Sequence, residues 1–202
     1  KRIKFLTSDL DNAEGEGQVF YSDTDNEFKV SVASAAWIST SSMNRSPGTA
    51  GTGVSGTSTA TVAFGGQKNN PYPSITDTEE FNGSGWSTSG AVPAGRFGWV
   101  GGIGSQTAAL GASGFTEPGS VATEAYEYDG SSWTASGDVS TGRGNAGGAG
   151  TQTAGLAFGG RTGGPSGSSR STAVEEYDGS SWTEGGAMPA AKDRFTGAGL
   201  QT

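Results

Sequence analysis

Glu176-Tyr177-Asp178-Gly179-Ser180-Ser181-Trp182 is the stretch that decides how the rest of the chain is read. The phrase stands earlier as Glu127-Tyr128-Asp129-Gly130-Ser131-Ser132-Trp133, and once more as Glu80-Phe81-Asn82-Gly83-Ser84-Gly85-Trp86. Asp-Gly or Asn-Gly between two aromatic positions predicts a tight hairpin with a type I′ turn, whose two central residues both take positive φ. Further upstream, Ala157-Phe158-Gly159-Gly160 answers Ala63-Phe64-Gly65-Gly66, with Ala109-Leu110-Gly111-Ala112 as a weaker middle copy. Trp37, Trp86, Trp133 and Trp182 are spaced by 49, 47 and 49 residues, and Trp99 is out of phase. An Arg follows each of the last three repeat tryptophans (Arg96, Arg143 and Arg194), and Arg45 holds a similar place after Trp37.

A period of about 48 residues falls in the range of propeller blades. Each unit reads as four antiparallel strands, a to d. Strand a is poor in bulk (Arg143 to Gly150), and strand b runs from Thr153 to Phe158 into a glycine pair. Strand c, from Ala173 to Asp178, carries the Tyr, and Trp182 opens strand d. No segment carries a sustained apolar stripe of helical period, so helix content is expected to be minimal. In a propeller the innermost strands converge on the axis, where only small side chains fit. The outer strands diverge, and aromatic rings of roughly 150–250 Å² fill the wider gap. One such unit cannot cover its own apolar faces, so neighbours must stack.

The expected fold is therefore all-β: four-stranded antiparallel blades, about three complete ones with partial blades at each end. Residues 1–16 read as a linker or attachment segment, and 17–44 as a hairpin module or the outer strands of a first partial blade. Residues 45–92, 93–140 and 141–190 read as full blades, and 194–202 as a first strand. Either the partial blades combine to close a ring, or the chain stops inside a longer propeller. The absence of a strand b phrase after Gln201-Thr202 favours the second.

Composition restricts function. Glycine supplies 37 of 202 residues, against a usual share of about 7 %. The formal charge of −8 is the wrong sign for gripping nucleic-acid phosphates, and no apolar stretch approaches the roughly 20 residues that span a bilayer as a helix. Neither nucleic-acid binding nor membrane insertion is expected. There is no His and no Cys, which removes the usual ligands of zinc, copper and haem iron, the His-based triad and the cysteine nucleophile. No cofactor and no enzymatic activity are expected.

The glycine pair, the variable loop, the Glu-preceded aromatic and the following Trp resemble the kelch repeat, over roughly residues 45–200. The resemblance implies four-stranded propeller blades. Here the Tyr–Trp gap is shorter than in that repeat. The variant Tyr-Asp-Gly-Ser-Ser-Trp, joined to Gly-Thr-Gln-Thr-Ala-Gly-Leu-Ala-Phe-Gly-Gly, resembles repeats of tail-fibre and other virion proteins of marine and cyanobacterial phages. Gly17 to Tyr21 and Asp25 to Val30 resemble a hairpin module of phage structural proteins. These resemblances imply a virion structural or binding protein, such as a tail fibre. Its partners would be other virion proteins, or a host-surface glycan or protein, and its assembly trimeric. The alternatives are a cellular kelch-type adaptor or surface adhesin, and, further off, a carbohydrate-active propeller enzyme.

Candidate sites follow from the pattern. Glu79, Glu80, Glu127, Glu175 and Glu176 accompany strand c in every unit and read as structural or solvated, because an active site breaks a repeat. Arg96, Arg143 and Arg194 read as ties between blades through carbonyls or a carboxylate, rather than a ring for an anion. Asp-Gly-Ser-Ser-Trp matches the sialidase Asp box poorly, since that motif places a residue between Asp and Gly. Asp23 to Glu27 offers oxygen ligands for calcium, but sits where a turn is expected. The segments 67–74, 113–120 and 161–171, between strands b and c, differ in wording while the framework repeats. Loops of that kind carry recognition, and Asn70, Tyr72, Arg161 and Arg170 are the expected binding residues.

Overall fold

A computed structural model describes residues 19–22, 27–30, 41–44, 53–68, 73–167, 169–194 and 196–200, and among them every regular element is a strand. Val19–Ser22 (β1) and Glu27–Val30 (β2) form an antiparallel pair in a compact unit within residues 1–39. The other twelve strands belong to a second compact unit, residues 40–202. They fall into three four-stranded antiparallel meanders. The first comprises β3 (Gly53–Gly56), β4 (Thr61–Phe64), β5 (Thr78–Phe81) and β6 (Trp86–Ser89). The second comprises β7 (Val100–Ser105), β8 (Ala108–Ala112), β9 (Ala125–Tyr128) and β10 (Trp133–Ala135). The third comprises β11 (Gly147–Thr151), β12 (Ala154–Phe158), β13 (Val174–Tyr177) and β14 (Trp182–Glu184). The first strands of the second and third units meet in parallel at Gly101 and Gly147, which fuses those two units into one eight-stranded sheet.

That meeting explains the small residues of each first strand. A β-carbon on Gly148 would lie 2.4 Å from the Gly101 carbonyl oxygen, and one on Gly101 would lie 3.2 Å from the Val54 nitrogen. The backbones of β3, β7 and β11 thus pack directly on one another. Ser55, buried, donates to the Ile103 carbonyl at 2.8 Å across the same seam. β3, β7, β11 and residues 197–200 all line one cavity of about 420 Å³.

The three hairpins share one ring geometry. Phe81–Trp86, Tyr128–Trp133 and Tyr177–Trp182 stack at 5.2, 4.9 and 5.0 Å with interplanar angles of 38°, 35° and 39°. The turn itself differs from the type I′ expectation. Only its glycine takes positive φ (93° at Gly130, 95° at Gly179), as in turns with glycine at the first central position. The Asp stands just before the bend instead. Asp129 Oδ1 accepts the Ser131 and Ser132 N–H groups, each at 2.8 Å. These donors, Ser132 first, lower the Asp129 carboxyl to about 2. Asp178 is lowered to about 2 by the same cradle, led by the Ser181 N–H. Asn82 fills the place in the first unit, bonded through Oδ1 to Ser84 and Gly85.

Each unit is bonded to the next by one recurrent set of contacts. Tyr128 Oη donates to Glu80 and takes a hydrogen bond from Ser89; Tyr177 Oη donates to Glu127 and takes one from Ser136. Gln106 Nε2 donates to the Phe81 and Thr61 carbonyls at 2.7 and 3.3 Å, and Gln152 Nε2 to those of Tyr128 and Ala109 at 2.7 and 3.0 Å. Apolar packing completes each seam. Phe64 meets Trp99 and Trp133 at 5.5 and 4.5 Å between the first two units, and Ala112, Ala146, Tyr177 and Trp182 share a core between the next two.

One bond of the set is missing, and its absence has a sequence cause. Trp133 Nε1 donates to Thr78 Oγ1 at 3.0 Å. Trp182 Nε1 is buried with no partner among the described residues, because Ala125 stands in register where the first unit has Thr78. Ala125→Thr should restore the bond and raise unfolding stability by about 0.5–1.5 kcal/mol, whereas Thr78→Val should lower it by about 1–3 kcal/mol. Urea unfolding followed by tryptophan fluorescence measures both; a loss in Ala125→Thr would contradict this account of the seam.

Candidate recognition surface

The loops between second and third strands lie side by side. Glu117 Oε1 accepts hydrogen bonds from the Ser74 N–H and hydroxyl, joining the second loop to the first. Gly119 and Gly164 approach so closely that a β-carbon on Gly164 would sit 2.5 Å from the Gly119 carbonyl oxygen, so the third loop rests on the second. Beneath them Phe115 is fully buried against Phe97 (5.3 Å) and covers Gly144, whose missing side chain makes the space. Three segments far apart in sequence become one continuous rim.

Of the four expected binding residues, Asn70 and Tyr72 lie outside the described residues. Arg161 and Arg170 are brought together, and both are engaged. Each donates through Nε to the Asp193 carboxylate, one to each oxygen, and Arg161 Nη1 also donates to the Pro165 carbonyl at 2.7 Å. Arg161 is buried, whereas the Arg170 side chain is 48 % exposed and presents its remaining guanidinium edge to solvent. Arg170 first, and Arg161 with it, hold the Asp193 carboxyl below the ordinary range against the opposing effect of burial. Two loop residues therefore clamp the segment that leaves the third unit.

The three framework arginines do not form one series. The Arg96 and Arg143 carbonyls accept the Gly66 and Gly114 N–H groups, and the third such acceptor is Lys192, not Arg194. Arg194 aligns instead with Gly98 and Asn145, three positions that share positive φ (59°, 62° and 55°). Arg143 is buried and paired with the equally buried Glu175, and it also donates to the Ala173 carbonyl at 3.1 Å. Glu175 further accepts the Ser140 N–H and hydroxyl at 2.7 and 2.8 Å. Arg96 donates to the Glu124 carboxylate at 2.7 Å and its carbonyl at 3.0 Å, with its guanidinium over Trp99 and Tyr126. Each arginine thus fastens the linker before a unit to that unit's own third strand or the loop leading into it. The variation is coupled. Where Tyr126 replaces the Glu of Glu79 and Glu175, Pro93 stands in the linker and has no N–H to offer, whereas Asn44 and Ser140 donate theirs.

The strand c glutamates are likewise committed: Glu80 and Glu127 to the tyrosines of the following unit, Glu175 to Arg143. The Asp23 to Glu27 turn lies largely outside the described residues. Sequence reasoning missed Gln106, Gln152 and Asp193. The glutamines were signalled by the recurrent Gln-Thr-Ala at 106–108 and 152–154; Asp193 has no counterpart in the other linkers, where Phe97 and Gly144 stand, and so left no signal. A second cavity of about 420 Å³ opens beside Trp99, Asn145 and Arg194. No protein-family model matches the chain, and no curated protein matches it.

Two titrations test the geometry. Burial first, and then the bonded Glu80 or Glu127, push the Tyr128 and Tyr177 hydroxyls up to about 12. An acid whose folded pKa is raised keeps its proton longer in the folded state. Its contribution is complete below the unfolded value of about 10 and is lost as pH rises through the folded one. In an ultraviolet phenolate titration the chain should show a step near pH 12, and Tyr128→Phe/Tyr177→Phe should remove it. Asp193 works at the other end: lowered in the folded state, it supports folding above its unfolded value of about 3.9 and loses that support as pH falls further. Asp193→Asn should flatten the acid limb of the stability curve; an unchanged limb would contradict the clamp.

Proposed function

We propose that this chain is part of a kelch-like β-propeller whose four-stranded units act as blades, and that it serves as a non-enzymatic structural and binding component of a virion, on a tail fibre or related appendage. The observation that carries the reading is the contrast between seam and rim. The seams repeat the same polar contacts, Tyr on Glu and Ser, Gln on two carbonyls. The adjoining rim loops share no wording and differ in what they hold: Glu117 on Ser74 in one, Arg161 and Arg170 on Asp193 in another. A repeated scaffold that holds divergent loops together on one side is the physical plan of a recognition module. The glutamates that a carboxylate-only glycosidase would need are occupied in seams and linkers, which supports binding over catalysis.

The ligand this surface suits is a host-surface glycan or protein, met by the exposed guanidinium edge of Arg170 and the polar loop backbone. Replacing residues 162–167 by the corresponding stretch of the second loop, with Arg161, Arg170 and Asp193 kept, should change glycan-array binding and adsorption of the purified protein to cells. The unfolding free energy should stay within about 0.5 kcal/mol of the parent. Binding that is unaffected by the exchange would refute recognition at this rim. Immunogold labelling should find the chain on a particle appendage; label confined to cells would refute the virion role.

A further inference from the structure

The far side of the third unit repeats what the first two units offer where another unit sits on them. At the first seam the bulky pair Phe64 and Trp99 meets at 5.5 Å. At the second, the same two positions hold Ala112 and Ala146, both buried in one core. In-register strand pairing makes Phe158 the third member of the first series. The sequence makes Phe195 the third member of the other, directly after Arg194 as Trp99 follows Gly98 and Ala146 follows Asn145. Bulk is thus matched at both seams, large with large and then small with small, and in sequence the third pair of positions is large again. Gln201 continues the series of Gln106 and Gln152, and Gly155 and Tyr177 stand where Thr61 with Phe81, and Ala109 with Tyr128, receive those glutamines. Phe195 and Gln201 themselves lie outside the described residues.

Residues 196–200 already occupy the place of a fourth first strand. Arg194 N–H donates to the Asn145 carbonyl at 2.9 Å, repeating the 2.7 Å bond from Asn145 to Gly98, and Gly150 N–H donates to the Gly199 carbonyl at 2.9 Å. Gly197 packs on the Gly148 carbonyl as Gly148 packs on that of Gly101.

We propose that the outer face of β12 and β13 is the docking face of a fourth four-stranded unit. Its first strand is 196–200, and it brings a Gln in its first turn, a Tyr closing its third strand and a Trp opening its fourth. A second copy of this chain does not fit the role, because its leading unit has lost both reaching groups. Ser58 stands where Gln106 and Gln152 reach back, and Phe81 where Tyr128 and Tyr177 do. The inference concerns stacking alone and is independent of the receptor role proposed above.

The test extends the full chain beyond Thr202 with a second copy of residues 154–194, so that 196–202 lead into complete second, third and fourth strands. Tryptophan fluorescence in urea and amide exchange of β12 and β13 are compared with the 202-residue chain. The expected result is a single cooperative transition at a higher midpoint, with exchange slowed at least about tenfold in those two strands. Gln201→Ala in the extended chain should reverse part of the gain, and the same change in the 202-residue chain should do nothing comparable. A separate or missing transition for the added segment, or exchange that does not slow, would overturn the proposal. So would concentration-dependent pairing of the unextended chain that protects β12 and β13, since it would make a second copy the occupant.

Discussion

The hydrogen bond from a strand c tyrosine to the glutamate of the unit before it is the contact on which the rest of this structure depends. A four-stranded meander of these dimensions has two apolar faces and no core of its own. What turns three of them into one body is a seam closed at both margins. At the first strands the seam is backbone against backbone, Gly148 on Gly101 and Gly101 on Val54. At the third strands a phenol donates to a carboxylate of the unit before it. The phenol must stay protonated to donate, and burial beside a carboxylate ensures that it does. The glutamine of the first turn adds two bonds to carbonyls that carry no side-chain information. It can therefore recur unchanged while the strands it touches vary.

Much of this was legible in the sequence because the repeat is printed three times. The hairpins and the bulk-poor first strands stand where periodicity placed them, and β11 to β14 begin and end within a few residues of the expected strands. The middle copy of the glycine-pair phrase was placed two residues early: Ala112, not Leu110, stands in the register of Phe64, and Ser113-Gly114 hold the place of Gly65-Gly66. The turn chemistry was misread, since Asp-Gly suggested two central positions of positive φ when the Asp supplies acceptors and the Gly alone supplies the φ. The arginine register was misread for a related reason. Residue type made Arg194 the heir of Arg96 and Arg143, but the carbonyl pattern assigns that place to Lys192, which follows Trp182 at the same distance as Arg96 follows Trp86 and Arg143 follows Trp133. The parallel contact that fuses two units into one sheet could not be read at all, because it arises between backbones.

The candidate site was only half legible. Divergent wording marked the loops as a group, yet nothing in it foretold that Glu117 would bridge to Ser74 or that Arg161 and Arg170 would converge on Asp193. The cost of that convergence is a division of labour: one arginine is buried in the clamp and the other keeps an exposed edge. The residues expected to bind and those that hold the scaffold therefore overlap at this rim, which is why any exchange of loop sequence has to leave the clamp in place to be interpretable.

A pair of double-mutant cycles, Glu80→Gln with Tyr128→Phe and Glu127→Gln with Tyr177→Phe, tests the central claim most directly. If one seam is used twice, each cycle should give a coupling energy of about 0.5–3 kcal/mol in urea unfolding, and the two values should agree to within about 0.5 kcal/mol. Effects that merely add in either cycle would mean that the tyrosine and glutamate do not hold neighbouring units together.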